Sequence, residues 1–598
     1  MGAGPLRTAG AGTLRPGHAG DEVRLAGWVK ARRDHGGVIF LDLRDASGVA
    51  QVVVDPMSAP EAAAVAREVR DEYSVTLAGR VRLRPEGLAN PDLPTGEVEV
   101  AAAELRVLSP ADPLPFQIDD RAEVDEVRRL AYRYLDLRRP RMAANLRARS
   151  RGIAAMRRVL DRLGFLEVET PTLIRSTPEG ARDMLVPSRL RPGAFYALPQ
   201  SPQLFKQLLM VGGVERYYQV ARCYRDEDFR SDRQLEFTQL DIEGSFWGQA
   251  DVLATLEQVM LEVVADQRGL AITPPFPRLT YAEALARYGT DKPDLRFGME
   301  IVGLNGVFAA SRFQAFRTAV ESGGLVAGVN AGPLGLSRSG LDALGERARA
   351  LGGRGLVTAV VEEGGALRSS LAKHLDEAET AALVGAFGAA TGDTLLLAAG
   401  DPKETRALLG KLRLELGQPR GHDELRFLWV VDFPVFEVTP EGGLAPAHHP
   451  FTSPFDVTEM EAHPEQATAR AYDLVLNGTE LGSGSVRIHD PAVQRRVFSV
   501  LGISDEEAER RFGWFLRALR YGTPPHAGFA VGIDRLFSIL RNEPNIREVI
   551  PFPKTLSGVD PMTEAPTTVA DDQLGELGID LRPETRANLE GEGEAPAG

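Results

Sequence analysis

Between Gln200 and Glu243 the chain reads QSPQLFKQ and, a little further on, RCYRDEDFRSDRQLEFTQLDIE. No other stretch restricts the possible folds as much. Arg222, Arg225, Arg230 and Arg233 are interleaved with Asp226, Glu227, Asp228, Asp232 and Glu236, after which Phe237–Ile242 alternates as a strand does. A strand leading into an arginine-rich loop, and another leading out, suits a polyanion held by guanidinium forks. The nearby carboxylates would order those forks or contact a base or a metal. ATP is the natural candidate; an ordinary charged hairpin is the competing reading.

The length, 598 residues with 43% hydrophobic and 26% charged side chains, predicts a globular chain of several domains. No apolar run is long enough to cross a bilayer, and MGAGPLRTAGAG lacks the apolar core of a secretory signal. The single cysteine, Cys223, excludes an internal disulfide framework and a multi-cysteine zinc site. Together these features predict a cytoplasmic protein with no membrane partner. A net charge of −15 argues against nucleic-acid binding by the chain as a whole. Locally, however, Arg128, Arg129, Arg133, Arg138, Arg139, Arg141, Arg147, Arg149 and Arg151 form a basic stretch, and the tail after Thr563 is acidic. A basic surface patch remains open.

Residues 20–108 read as short strands separated by turns. Val23, Leu25 and Val29 alternate with polar positions, and Ile39, Leu41 and Leu43 share a face opposite Phe40 and Asp42. Val98 and Val100 leave Glu97 and Glu99 facing outward. A small β-barrel of the OB type over residues 1–108 fits, and an outward aromatic such as Phe40 either stacks a base or is a partly buried surface ring. Residues 109–142 look like a hinge with a short charged helix. Ile153, Met156, Leu160 and Leu163 then mark a helix, followed by a strand from Phe165 that Pro171 stops. Strands and helices alternate to residue 295 without a regular βαβ period, which predicts an antiparallel α+β domain. The Gly- and Ala-rich residues 296–421 read as an inserted module. The dense pattern resumes over 422–563, and 564–598 forms a C-terminal extension.

There is no Walker-type loop and no GxGxxG opening a helix after a strand. Glycines in Gly482–Ser485 suggest close backbone approach or a bulge within a strand. The pair His448-His449 lacks partners at zinc-ligand spacing and suits a turn or a substrate contact better than a metal. Asn477-Gly478 is a strong two-residue hairpin turn. Counting outward, Leu476 opposes Thr479 and Val475 opposes Glu480, so Asp473 and Glu480 become diagonal neighbours on one face. Such a pair either holds a divalent ion bridging phosphates or is an exposed acidic face. Glu480 and Arg487 are seven residues apart, so both can serve one site only if Gly482–Gly484 bulges or kinks.

These stretches together resemble the class II aminoacyl-tRNA synthetases, specifically the bacterial-type aspartyl-tRNA synthetases, along nearly the whole chain. GFLEVETP (Gly164–Pro171) resembles motif 1, RCYRDEDFRSDRQLEFTQLDIE motif 2 and GFAVGIDRL (Gly528–Leu536) motif 3. STPEGARD (Ser176–Asp183), QSPQLFKQ, HHPFTSP (His448–Pro454) and the GSGSVRIH end of the hairpin resemble the aspartate-specific stretches. The resemblance implies an α+β homodimer: an N-terminal OB-fold that binds the anticodon, an antiparallel catalytic sheet, and an inserted α/β module of the GAD type. It implies that L-aspartate and ATP give aspartyl-adenylate and that the aspartyl group passes to tRNA(Asp).

Residue by residue, the resemblance puts Arg225 between substrate carboxylate and α-phosphate, with Arg535 on the γ-phosphate. Asp226, Glu227, Gln234, Glu480, Gly532, Ile533 and Asp534 complete the ATP site, Glu227 contacting adenine. Asp473 and Glu480 would hold Mg²⁺. Lys206 and Arg487 would read the aspartate side chain, Gln203 and Asp241 its ammonium, while Glu179 closes over it and His448 approaches from its own loop. A neutral asparagine would leave Lys206 and Arg487 without a partner. Arg33, His35, Phe40, Gln51, Gly87 and Glu99 fall near the anticodon.

The chain departs from the family pattern with Leu235 in place of a common Pro. It also has His35 and Gly87 where many strictly aspartate-specific members resemble Leu and Lys, which points to a relaxed choice that includes tRNA(Asn). The rival readings are a lysyl- or asparaginyl-tRNA synthetase, and a synthetase-derived RNA-binding protein without aminoacylation activity.

Overall fold

Strand alternation over the first hundred residues closes into a barrel. In the computed structural model, which describes residues 6–176, 181–417 and 424–592, strands Glu22–His35, Val38–Asp45, Gly48–Val54, Val98–Ser109 and Ser74–Leu83 pair in that order around a closed ring. Leu25, Val29, Ile39, Leu41, Leu43, Val52, Val75, Leu77 and Val100 point inward and are buried. The helix Pro60–Glu68 contributes Ala62, Ala63 and Ala66 to the same core. This barrel belongs to the first of two compact units, Met1–Ala144 and Asn145–Gly598.

Part of the basic stretch is spent on buried carboxylates, while Arg128, Arg141, Arg147 and Arg151 are exposed. Arg129 and Arg133 bind the fully buried Asp136, with Arg139 beside it, and Arg138 pairs with Glu72 while lying over the Trp28 ring. Arg149 donates to Asp534. These guanidiniums neutralise buried carboxylates, which would be costly to leave alone.

In the second unit an eight-stranded sheet runs in the order Arg278–Thr280, Phe427–Val431, Ala471–Leu476, Thr479–Val486, His526–Gly532, Glu236–Ser245, Arg216–Tyr224, Leu166–Glu167. The central pairings are antiparallel, as expected, and only the two outermost are parallel. The strand foreseen from Phe165 pairs only through Leu166 and Glu167. Helices Pro140–Arg162 and Gln249–Arg268 add Met156, Val159, Leu160, Leu256, Val259 and Val263 to a core shared with Trp429, Tyr472, Phe529 and Phe537. Burying that face against the sheet leaves the other for chemistry.

Residues 302–400 carry a separate antiparallel sheet of five strands. Its central strand, Thr394–Gly400, is a continuous apolar run because both faces are covered. Leu395 and Leu397 join one cluster with Phe308, Phe316 and Leu383, whereas Leu396 and Ala398 join another with Leu408, Leu409 and Leu412.

Candidate active site

The strands Arg216–Tyr224 and Glu236–Ser245 pair from Tyr224↔Glu236 to Arg216↔Gly244, so residues 225–235 form the loop between them. That loop, the helix Gln203–Val211, and the strands Thr479–Val486 and His526–Gly532 enclose a cavity of about 770 Å³. Most of the residues singled out by motif line it.

At its inner end lies a four-membered charge cluster. Lys206 Nζ donates to Asp241 Oδ1 at 2.6 Å and sits 3.2 Å from Glu243 Oε2; Arg487 binds Glu243 through Nε at 3.0 Å and Nη2 at 3.2 Å. All four side chains are buried. Burial raises the Asp241 pKa above the ordinary aspartate value despite Lys206. Burial also works against the charge of Glu243, but Arg487 and then Lys206 outweigh it and hold that carboxyl below the usual glutamate range. Among the described residues, Asp241 Oδ2 and Gln203 Nε2 are buried without a hydrogen-bond partner. As oriented, the Gln203 amide offers a donor; reading an ammonium requires that amide to be turned over.

Glu243 carries no role in the sequence reading, yet it orients Arg487. Gly528 leaves room for it: a Cβ there would come within 1.9 Å of Glu243 Oε2. His449 lies close by and its pKa is lowered to about 3, first by burial and then by the charges of Arg487 and Lys206.

The hairpin register is as expected, with Leu476 opposite Thr479 and Val475 opposite Glu480. The irregularity needed to bring Glu480 and Arg487 to one site is present, but at Leu481 rather than within Gly482–Gly484. Leu474 pairs with Gly482 while Val475 pairs with Glu480, leaving Leu481 as the extra residue. This bulge changes the parity, so Glu480, Ser483, Ser485 and Arg487 share a face. Gly482 and Gly484 serve close approach instead: a Cβ there would lie 1.9 Å from the Ala530 carbonyl or 2.3 Å from that of Gly528.

Asp473 does not line the cavity. Its Oδ1 lies 3.1 Å from His448 Nε2, and His448 faces the cavity. Burial disfavours protonation of His448, but Asp473, with Glu480 and Glu437 behind it, raises its pKa overall. Glu480 is raised by burial and by Asp473, against the opposing pull of Arg535, Lys292 and His448. Among the described residues no group of three or more His, Cys, Asp or Glu side chains gathers to hold a metal ion. Two neighbouring acids, one with its charge disfavoured, nonetheless suit a divalent cation whose other ligands come from phosphates.

Towards the cavity mouth, Arg225 Nε reaches the Gln200 carbonyl at 3.4 Å, and its guanidinium lies 5.0 Å from the Phe237 ring centre. No carboxylate among the described residues lies within ion-pair distance of it. Other charges of the loop are paired: Arg233 with Glu227 at 2.9 Å, Asp226 with Arg182 at 3.3 Å, and Asp232 with Arg535 at 3.1 Å.

Three expected nucleotide contacts look different in the structure. Gln234 spends both ends of its amide on the Lys554 backbone, accepting from its N–H at 2.8 Å and donating to its carbonyl at 3.1 Å. Ile533 is fully buried in the core and does not reach the cavity. Asp534 borders the cavity but its carboxylate is bound by Arg149 and by the Thr238 N–H at 2.8 Å. Gly532 lines the wall. Glu179 lies outside the described residues.

In the barrel, His35 and Phe40 meet edge to face at 5.5 Å. Arg33 is held in a bidentate pair with Asp42 at 2.7 and 2.8 Å. Glu99 is a correction: it points to the outer face, but Arg82 and Gln51, each 2.8 Å away, leave it only 4% exposed. Gly87 has φ +79° and open space around it.

The arrangement of an antiparallel sheet, an arginine-bearing loop and a glycine-lined wall matches a known pattern. The family description "tRNA synthetases class II (D, K and N)" matches residues 125–556, and "OB-fold nucleic acid binding domain" matches residues 23–108. The chain belongs to the class II tRNA synthetases. Among curated relatives, an "Aspartate--tRNA(Asp/Asn) ligase" of Rubrobacter xylanophilus is 53% identical over 98% of this chain and 99% of its own. The same-named protein of Thermobifida fusca is 51% identical over 97% and 99%. Within the class, the chain falls with the bacterial-type aspartyl-tRNA synthetases.

Among solved structures, asparaginyl-tRNA synthetase from Pyrococcus horikoshii complexed with asparaginyl-adenylate aligns with TM-score 0.57 at 21% identity, covering 90% of this chain and 96% of that one. Aspartyl tRNA synthetase from Entamoeba histolytica gives 0.55 at 20%, covering 90% and 89%. These two likenesses concern the fold alone.

Proposed function

We propose that the cavity activates L-aspartate with ATP to aspartyl-adenylate and passes the aspartyl group to the 3′ end of tRNA(Asp), and also of tRNA(Asn). The observation that carries this reading is the buried pair of cations, Lys206 and Arg487, facing the same cavity as Arg225. Asp241 and Glu243 neutralise that pair without saturating it, and the open Asp241 Oδ2 complements an ammonium. The site therefore suits a zwitterion with an additional side-chain carboxylate. The expectation that asparagine leaves Lys206 and Arg487 without a partner does not hold, since Asp241 and Glu243 bind them. Asparagine is disfavoured because its amide turns N–H donors towards the two cations, and a site built to hydrogen-bond one group rejects the wrong one by a factor of roughly 10⁴.

In the first step the aspartate α-carboxylate attacks the α-phosphorus and pyrophosphate leaves. No proton need move; the step depends on alignment and on neutralising charge. Arg225, without a carboxylate partner among the described residues, bridges the attacking carboxylate and the α-phosphate. Arg535, steered by Asp232 and by the Glu480 carbonyl that its Nη1 contacts at 3.0 Å, takes the γ-phosphate. Glu227 reads adenine, with Asp226 beside it; Gln234 acts through the Lys554 backbone.

Glu480, with Asp473 behind it, would hold Mg²⁺, which when bound neutralises phosphate charge. His448 and the loop carrying Glu179 close over aspartate. In the second step the tRNA terminal hydroxyl attacks the adenylate carbonyl and the bond from that carbon to the phosphate oxygen breaks. AMP leaves with its phosphate taking up the hydroxyl proton.

The barrel reads the anticodon through Phe40, Arg33 and Gln51, with the covered Glu99 orienting Gln51 and Arg82 and with His35 and Gly87 relaxing the choice. No described helix is long and apolar enough to cross a membrane, and the cytoplasm is the setting that tRNA chemistry requires. A homodimer built on Gly164–Pro171 accounts for the exposed Leu166 and Leu173. Domain limits near 108, 142, 295, 421 and 563 go with this assignment.

Aspartate-dependent exchange of pyrophosphate into ATP is the test. No exchange by folded protein would overturn the reading in favour of a non-catalytic RNA-binding descendant.

A further inference from the structure

The inserted module leaves the catalytic sheet and returns to it beside the tip of one hairpin, the one that carries Asp473 and Glu480. On the outgoing side, Asp294 lies against Gly478, where an added Cβ would come within 3.2 Å of the Asp294 Cβ. On the return side, Asn477 donates through Nδ2 to the Glu424 carbonyl at 2.9 Å and accepts at Oδ1 from the Arg426 N–H at 2.9 Å. Both residues of the turn are therefore held by chain entering or leaving the module. Glu480 follows two residues later.

The outgoing segment is in turn fastened to the module's last helix, Pro402–Leu416. Arg413 on that helix is fully buried and donates through Nη2 to the carbonyls of Asp294, Phe297 and Gly298 at 2.6, 3.0 and 3.0 Å. Its guanidinium lies 4.3 Å from the Phe297 ring centre and 4.8 Å from that of Tyr288. Nε and Nη1 are buried without hydrogen-bond partners, and no carboxylate among the described residues is in ion-pair distance. A packed apolar side chain would fill this place at lower cost. What the guanidinium provides is one nitrogen gripping three carbonyls of the outgoing segment, which fixes that segment on the helix.

We propose that Arg413 and Asn477 are positioning residues for the ATP site, forming a tether by which the inserted module sets the hairpin tip and hence the carboxylate of Glu480. This rests on the proposed role of Glu480 towards ATP and its metal ion. Supporting residues one step removed from a metal ligand typically alter affinity by 10- to 100-fold.

The tether is tested in the full-length chain by two measurements on Arg413→Met and Asn477→Gly. The second variant removes the amide but tolerates the φ of +51° at that position. Hydrogen–deuterium exchange over residues 474–482 is expected to quicken by about 10-fold in both, while Leu383→Ala, which weakens a core on the far face of the module, leaves it unchanged. Equal protection in wild type and Arg413→Met, or equal loosening by Leu383→Ala, overturns the tether whatever the chemistry of the site. In aspartate-dependent pyrophosphate exchange, KM for ATP·Mg²⁺ is expected to rise about 10-fold, with KM for aspartate within 2-fold of wild type. Equal rises in both KM values overturn the positioning role. Absence of exchange in the wild type would instead remove the assigned function, and the hydrogen-exchange result would still decide the tether.

Discussion

Lys206 Nζ lies 2.6 Å from Asp241 Oδ1, with each side chain 1% exposed. Neither charge has access to bulk water, so each depends on the other and on Glu243 and Arg487 around them. A cluster of this kind contributes little net stability, but removing one member strands the rest.

Lys206→Met is accordingly expected to lower stability by about 3–5 kcal/mol and to abolish aspartate-dependent exchange. Adding Asp241→Asn should restore much of the melting temperature and none of the activity. Thermal melts and exchange assays on the single and double variants check this. Retention of aspartate activity by Lys206→Met would remove it from substrate recognition.

Glu243→Gln tests an orienting role. Arg487 would keep its charge but lose its bidentate anchor. Its fork should then settle less sharply on the substrate, lowering kcat/KM for aspartate by about 10- to 100-fold, or roughly 1.4–2.8 kcal/mol. KM for ATP should stay near wild type. Steady-state exchange kinetics with each substrate varied separate the two effects.

The buried histidines predict the direction of acid sensitivity. His449 is lowered to about 3 and His526 is lowered as well, in each case chiefly by burial. In the unfolded chain both titrate near 6.5, so below that pH the unfolded state binds protons that the folded state refuses. Stability is therefore fully present above about pH 6.5 and declines as pH falls towards the folded values, by at most about 1.4 kcal/mol per pH unit for each histidine. Melting temperature should drop from pH 7 to pH 4.5, and His449→Gln should flatten that slope. A steeper slope in the variant would contradict the burial argument.

At the anticodon end, Phe40→Ala is expected to reduce tRNA charging by about 1–3 kcal/mol of lost stacking and to leave pyrophosphate exchange untouched. The wild type should aminoacylate both separated tRNA(Asp) and tRNA(Asn). The double variant His35→Leu with Gly87→Lys should lose most of the second reaction. Failure of the wild type to charge tRNA(Asn) above background would end the relaxed-specificity reading.

Local patterns in the chain revealed much of this. Period-two alternation exposed the barrel strands, and Asn477-Gly478 allowed the pairing of Val475 with Glu480 to be counted without coordinates. The loop of residues 225–235 was legible because its arginines and carboxylates are crowded into one short stretch. Glu243 was not, since nothing in its own strand distinguishes a buried partner of Arg487 from any other strand carboxylate. The same limit hid the covering of Glu99 and the use of Gln234 by the Lys554 backbone. Each depends on a residue distant in sequence.

By itself, then, the sequence determined which side chains were available to the site and on which element each would sit, because propensity, alternation and turn chemistry act over a few residues. Tertiary structure decided which charges meet, which are covered and which are left free for a ligand. The Leu481 bulge is the clearest case. One extra residue on one strand reverses the facing of everything after it, and only pairing with Ala471–Leu476 could reveal that Glu480 and Arg487 address the same cavity.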